Sequence, residues 1–157
     1  MTLKSYHHRH EGICVIDWSK FGDLCEKLSE HIVSDFDTEA VIGISRGGAI
    51  IGATIAALLG ASFHSIAITR RSKGKVVSEK PVLNSTIDDS ILGLRLLVID
   101  DISVTGETLD AALLNLKDFL PACVKTATLV VHSFSRKPDW FAMETDSLVV
   151  FPWSNKR

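Results

Sequence analysis

Apolar residues along this chain change their period several times, and each change marks an element. After Asp17, a residue suited to cap a helix, Phe21, Leu24, Cys25, Leu28 and Ile32 recur at helical spacing and predict an amphipathic first helix running to about Val33. The next stretch, Ala40 to Phe63, is built almost wholly of apolar and small residues, with Arg46 as its single charge. It approaches the roughly 20 residues that span a bilayer, so a membrane helix is the rival reading. A mid-membrane arginine costs about 2.5–3.5 kcal/mol, and Gly47-Gly48 would break such a helix in two. The segment is therefore read as a short buried strand, Val41 to Ile44, a tight Ser-Arg-Gly-Gly turn, and a helix from about Ala49 to Leu59. Strand-like runs follow at Phe63 to Thr69, Arg95 to Ile99, Ala127 to His132 and Leu148 to Phe151, with another helical segment near 106–119. Strands alternating with helices predict an α/β fold, a mostly parallel open sheet flanked by helices. Residues 70–92 are polar and irregular, and loops of that length in a compact domain are usually mobile or functional.

Length and composition narrow the class. A chain of 157 residues is expected to form one domain, 1–157. With 46% hydrophobic and 23% charged residues and a net charge of −2, it is expected to be a soluble globular protein and not a general binder of nucleic acid or membrane surfaces. Any basic site must be local. Cys14, Cys25 and Cys123 share no CxxC spacing, which argues against a disulfide framework or a cysteine zinc site and favours a reducing cytoplasm. The start, MTLKSYHHRHEG, lacks the apolar core of a signal peptide. Its His7, His8 and His10 have no carboxylate or cysteine at ligand spacing and read as a polar terminus.

The chemistry gathers in LRLLVIDDISVTGETL, residues 94–109. Adjacent carboxylates repel, so Asp100 and Asp101 at the end of a buried strand imply something for them to hold. In an open parallel sheet, ligands bind beyond the carboxyl ends of the strands, where this pair and Ser45-Arg46-Gly47-Gly48 would both lie. Backbone N–H groups from Val104 to Thr108 open a helix, Thr105 and Thr108 add hydroxyls, and Gly106 lets an anion approach, which together make a phosphate cradle. Arg46, read otherwise as a solvated loop charge, offers a charge-assisted fork to a second anionic group. Two carboxylates between those anions suit sugar hydroxyls and a magnesium ion. Phosphate, diol, magnesium and diphosphate describe an activated sugar phosphate.

VIDDISVTGETL resembles the motif that binds 5-phosphoribosyl 1-diphosphate (PRPP) in type I phosphoribosyltransferases. VIGISRGGAIIGATIAALLG resembles the diphosphate loop and following helix of the bacterial and archaeal purine enzymes related to the xanthine-guanine phosphoribosyltransferases. EKPVL at 79–83 and the tail PDWFAMETDSLVVFPW are similar to further segments of the same enzymes, so the likeness runs from about Val41 to Trp153. It implies the type I phosphoribosyltransferase fold with a small hood at about 132–157. It also implies transfer of a 5-phosphoribosyl group from PRPP to a nucleobase nitrogen, with release of diphosphate and purine salvage as the expected role. Asp100 and Asp101 would hold the ribose hydroxyls and Mg²⁺, with Arg46 beside them in the catalytic set. Val104, Thr105, Gly106, Glu107 and Thr108 would hold the 5-phosphate, and Ser45, Arg46 and Gly47 the diphosphate. The family's diphosphate loop often contains a non-proline cis peptide. A homodimer or homotetramer is expected from the family and from the apolar surface of the first helix.

Departures from the family pattern fall on the base side, assigned to Val104, His132, Leu148 and Val149. Val104 stands where the 6-oxopurine enzymes carry an Asp, and His132 where they carry a Lys that meets the purine 6-oxo group. Leu148 replaces a stacking aromatic, which leaves Phe151 or Trp153 as the nearest π surfaces. RRSKGK at 70–75 reads as a cationic lid, or else as a solvated basic loop. Glu107 reads otherwise as a first-turn acid that favours the helix dipole. Two function classes follow: a purine-salvage phosphoribosyltransferase, and a regulatory or degenerate member that binds PRPP or a nucleotide without turnover.

Overall fold

The computed structural model describes residues 11–69, 71–72, 75–76, 82–84 and 87–154. In chain order the elements are β1 (Ile13–Val15), α1 (Trp18–Asp35), β2 (Ala40–Ile44), α2 (Gly47–Leu59), β3 (Ser62–Thr69), β4 (Arg71–Ser72), β5 (Lys75–Val76) and β6 (Val82–Asn84). After a short 3₁₀ turn come β7 (Arg95–Ser103), α3 (Glu107–Leu116), a second 3₁₀ turn, β8 (Cys123–Val131), β9 (Trp140–Glu144) and β10 (Leu148–Val150). Six strands form the main sheet in the order β6-β3-β2-β7-β8-β9. All neighbours in it run parallel except β6, which lies antiparallel to β3.

Strand β2 is followed on one side by β3 and on the other by β7, so the strand order reverses between β2 and β7. That reversal opens a crevice at their carboxyl ends. Pairing from Ala40–Leu96 through Gly43–Ile99 sets the two ends level.

The period-2 alternation of β7 divides the core. Leu97 and Ile99 pack with α1 and α2, through Phe21, Cys25, Leu28, Ile32, Ile51 and Ile55. Leu96 and Val98 pack on the other face with Leu109, Ala112 and Leu116 of α3. Helix α1 starts as its sequence predicts: the Asp17 carboxylate accepts from the Lys20 amide at 2.8 Å. Its apolar stripe packs against the chain itself, while Trp18 and Val33 of the same helix stay exposed.

Several expectations are corrected. Strand β7 runs to Ser103 and not to Ile99, because β8 continues beside it and pairs Ile102 with Val130 and Ser103 with Val131. Asp100 and Asp101 therefore lie inside the strand. Leu148 to Phe151 does not extend the main sheet: β10 pairs in parallel with β1 in a separate two-stranded sheet. The edge strand β9 was not predicted. Asp139 pins its start, accepting from the Thr126 amide at 2.8 Å, the Thr126 hydroxyl at 3.0 Å and Lys125 at 3.1 Å. The stretch 70–92, read as irregular, contains the β4–β5 hairpin and β6, while much of the expected lid, with His7, His8 and His10, lies outside the described residues. The rival membrane segment is β2, α2 and the start of β3, and among the described residues no helix is long and apolar enough to cross a membrane.

Leu97 is fully buried at the centre of the sheet. Leu97→Ala is expected to cost about 2–5 kcal/mol, read as a lowered urea midpoint with an unchanged m-value.

Candidate functional site

The crevice is built from two strand ends. From β2, the chain turns through a cis Ser45–Arg46 peptide into α2, the arrangement that the family resemblance implied. The Ser45 amide donates to the Ile66 carbonyl at 2.7 Å, and the Ser45 and Ser65 hydroxyls lie 2.7 Å apart, so β3 fixes this loop. From β7, the chain passes Asp100 and Asp101 and turns at Gly106 into α3. Gly106 has φ +91°, a conformation that side chains disfavour. The Glu107 amide reaches the Thr105 hydroxyl at 3.4 Å, so the open amides expected across the whole turn are partly occupied.

Loop and strand touch at Gly47. A Cβ there would stand 2.0 Å from Asp101 Oδ2, so only glycine allows this approach. Each carboxylate spends one oxygen on the next amide: the Asp101 N–H donates to Asp100 Oδ1 at 2.9 Å, and the Ile102 N–H to Asp101 Oδ1 at 2.8 Å. A side-chain hydrogen bond also joins the two carboxyls, and their remaining lone pairs face other donors or a cation. Burial, followed by the neighbouring Asp101 charge, pushes Asp100 up to about 8, and burial raises Asp101 as well. A half-buried acid pair of this kind calls for positive charge. Among the described residues no three His, Cys, Asp or Glu side chains converge as a metal set. The dyad fits an ion such as magnesium, which takes one or two carboxylates and completes its shell with water and ligand oxygens.

A cavity of about 100 Å³ lies beside the dyad, lined by Asp100, Ile102, Ser103, Val104, Thr105, Gly106, Thr108 and Leu109. The structure thus brings together Asp100, Val104, Thr105, Gly106 and Thr108, with Glu107 next to them at the start of α3. Arg46 is exposed at the head of α2.

The base-side residues are placed differently. His132 directly follows β8 and is buried, its N–H donating to the Ser103 carbonyl at 3.1 Å. Its Nδ1 faces Asp146 Oδ1 at 3.5 Å. Ser133, through its hydroxyl and amide, holds Asp146 below the usual carboxylate range. Leu148 is exposed and pairs with Ile13, while Val149 packs against the α1–α2 core. Phe151 is buried and stacked on Trp153 at 4.8 Å, and Trp153 meets Phe21 and Trp18. These rings tie the tail to α1. The aromatic that the sequence reading missed is Phe134, half exposed and stacked on His132 at 5.4 Å. Its one signal was an apolar ring in the polar run SFSRK.

An open α/β sheet with both glycine-rich turns at its switch point defines a protein that binds ligands at the carboxyl edge. A family model described as the phosphoribosyl transferase domain matches residues 15–155, and the chain belongs to that family, a family of pentosyltransferases. Adenine phosphoribosyltransferase of Wolinella succinogenes is 32% identical over 127 residues, covering 73% of this chain and 67% of that protein. Among solved structures, purine phosphoribosyltransferase from Pyrococcus horikoshii superposes with a TM-score of 0.81 at 24% identity, covering 92% of this chain and 95% of that one. The xanthine-guanine-hypoxanthine enzyme of Helicobacter pylori gives 0.76 at 20%, covering 90% and 94%. Both share the fold.

Asp100 holds its proton more tightly in the folded protein than in the unfolded chain. Between about pH 4 and about pH 8 the native state therefore binds more protons, and stability falls as the pH rises through that window. Asp100→Asn, neutral throughout, is expected to raise the melting temperature of the metal-free protein more at pH 8 than at pH 5. Equal shifts at both pH values would contradict the burial argument.

Proposed function

We propose that this protein is a PRPP-dependent purine phosphoribosyltransferase that forms a nucleoside 5-monophosphate and diphosphate, as in purine salvage. The observation that carries the reading is the junction of the two turns: Asp100 lines the same cavity as the 104–108 turn, and Asp101 touches the 45–47 loop. One donor molecule with a phosphate at each end of a ribose fits that layout. Thr105, Gly106 and Thr108 bind the 5-phosphate, with Val104 and Glu107 contributing backbone. Ser45, Arg46 and Gly47 bind the diphosphate, and Asp100 and Asp101 accept from the ribose hydroxyls. Asp100 and Asp101 would also hold Mg²⁺, which would supply positive charge toward the leaving diphosphate. Stabilising charge that moves from the glycosidic bond onto that group is the main task of the chain, and fixed donors perform it without reorganisation. Arg46 is the protein cation closest in sequence to the departing group.

In this reading the whole chain works as one domain in the cytoplasm, with the segment from His132 onward as the base side. Exposed Ile13, Val15 and Trp18 favour a homodimer or homotetramer. The imidazole of His132 can accept as well as donate, so an amino-bearing base is admissible beside a 6-oxo base. The 32% identity with an adenine enzyme supports including adenine among the candidates.

The test is diphosphate release with PRPP, Mg²⁺ and a panel of hypoxanthine, guanine, xanthine, adenine and uracil. Turnover with one purine is expected. PRPP binding with no turnover on any base would replace transfer by PRPP sensing. Asp101→Asn is expected to weaken PRPP binding by about ten- to a hundredfold, the worth of a hydrogen bond to a charged group, measured by calorimetry with Mg²⁺. Val104→Asp is expected to change the ranking of bases while leaving PRPP affinity within about threefold. An unchanged ranking would remove Val104 from the base side.

A further inference from the structure

A cation from outside both turns lies against the 104–108 turn. Arg136 belongs to the segment that follows β8, yet a Cβ on Gly106 would meet Arg136 Cβ at 3.2 Å, its carbonyl oxygen at 3.4 Å and its Nε at 3.6 Å. The stem of Arg136 therefore runs over the open side of Gly106. Its backbone is held there by buried hydroxyls. The Ser135 hydroxyl donates to the Arg136 carbonyl at 3.0 Å and lies 2.7 Å from the Ser103 hydroxyl at the end of β7. Having spent its proton, Ser135 accepts from Ser103, which fixes the direction of the chain of bonds. The Ser135 amide closes the turn on the His132 carbonyl at 3.0 Å. Beyond Nε, the guanidinium forms an ion pair with Asp110, in the first turn of α3.

That pairing has an electrostatic consequence. Glu107 and Asp110 place two negative side chains at the end of α3 that must receive a phosphate dianion. The helix dipole favours the anion there, but the two carboxylates oppose it. Arg136 is more than half exposed on its Asp110 partner, so moving it takes no buried ion pair apart. An arginine fork matches a phosphate oxygen pair better than one carboxylate oxygen.

We propose that Arg136 is the side-chain cation of the 5-phosphate site, parked on Asp110 in the free protein and transferred to the phosphate when the donor binds. The proposal rests on the reading of the 104–108 turn as a phosphate site. It adds a contact from the base-side segment, so filling the phosphate cradle would draw that segment toward the sugar.

Calorimetry with two probes tests it: ribose 5-phosphate, which offers only the 5-phosphate, and inorganic diphosphate with Mg²⁺, which should occupy the 45–47 loop. Arg136→Gln is expected to weaken ribose 5-phosphate binding about tenfold or more and to leave diphosphate binding within twofold. Asp110→Asn, which removes the parking site and one repelling charge, is expected to tighten ribose 5-phosphate binding about threefold. Weaker ribose 5-phosphate binding in a folded Asp110→Asn protein would show that the ion pair holds the site together, and would overturn the proposal. Wild-type affinity for ribose 5-phosphate in a folded Arg136→Gln protein would overturn it while leaving the phosphate site intact. Wild-type protein that binds neither probe would sink the phosphate-site reading and this inference with it. Arg136→Lys, which keeps the charge and loses the fork, is expected to recover part of the lost affinity.

Discussion

The parallel pairing of β2 with β7 is the constraint on which the rest depends. Each strand leaves the sheet at the same level and in the same direction, and the chain departs from them to opposite sides. Their two turns must therefore meet. A side chain at position 47 would displace the Asp101 carboxylate, whose Oδ2 already occupies the place of its Cβ. Continuous burial of Val41, Ile42, Leu97 and Val98 holds the strands, so the meeting of the turns is supported by the deepest part of the core. The site inherits its rigidity from that packing.

Electrostatics then assigns work to the geometry. A half-buried carboxylate pair raised above its ordinary range is a cost in the free protein, and a cation or hydroxyl donors would offset it. Ligand and divalent ion would therefore stabilise each other's binding, since each supplies what the dyad lacks. The first turn of α3 shows the same logic with opposite sign, where Glu107 and Asp110 flank a place suited to an anion and Arg136 pairs with Asp110. The unliganded protein is in this sense electrostatically incomplete.

What the sequence made legible follows from how local each feature is. The α1 stripe, the Asp17 cap, the Val41–Ile44 strand and the Gly106 turn are written in contiguous residues, and all of them are present. The end of β7 was misplaced because two acids look like a strand terminus, whereas pairing with β8 carries the strand four residues further, from Ile99 to Ser103. Short edges such as β1 and β9 have no period of their own and are fixed by remote partners, β10 for one and Asp139 against Thr126 for the other. Arg136 was invisible for the same reason: thirty residues separate it from Gly106, and no spacing rule joins them.

This difference between local and remote construction accounts for the split character of the site. In the proposed reading the donor-side groups come from two turns, each a run of consecutive residues, 45–47 and 104–108. The groups proposed for the base side come largely from the segment after β8 and from the tail, where each position is supported by separate contacts: His132 by Asp146 and Phe134, Phe151 by Trp153, and Leu148 by β1. Substitution there alters one surface without disturbing the sheet. A chain can keep its grip on a phosphorylated sugar while the partner it accepts is rebuilt, and Val104 and His132 stand at that boundary. Arg136 would tie the halves together, because it is carried by the segment after β8 and reaches back to the Gly106 turn.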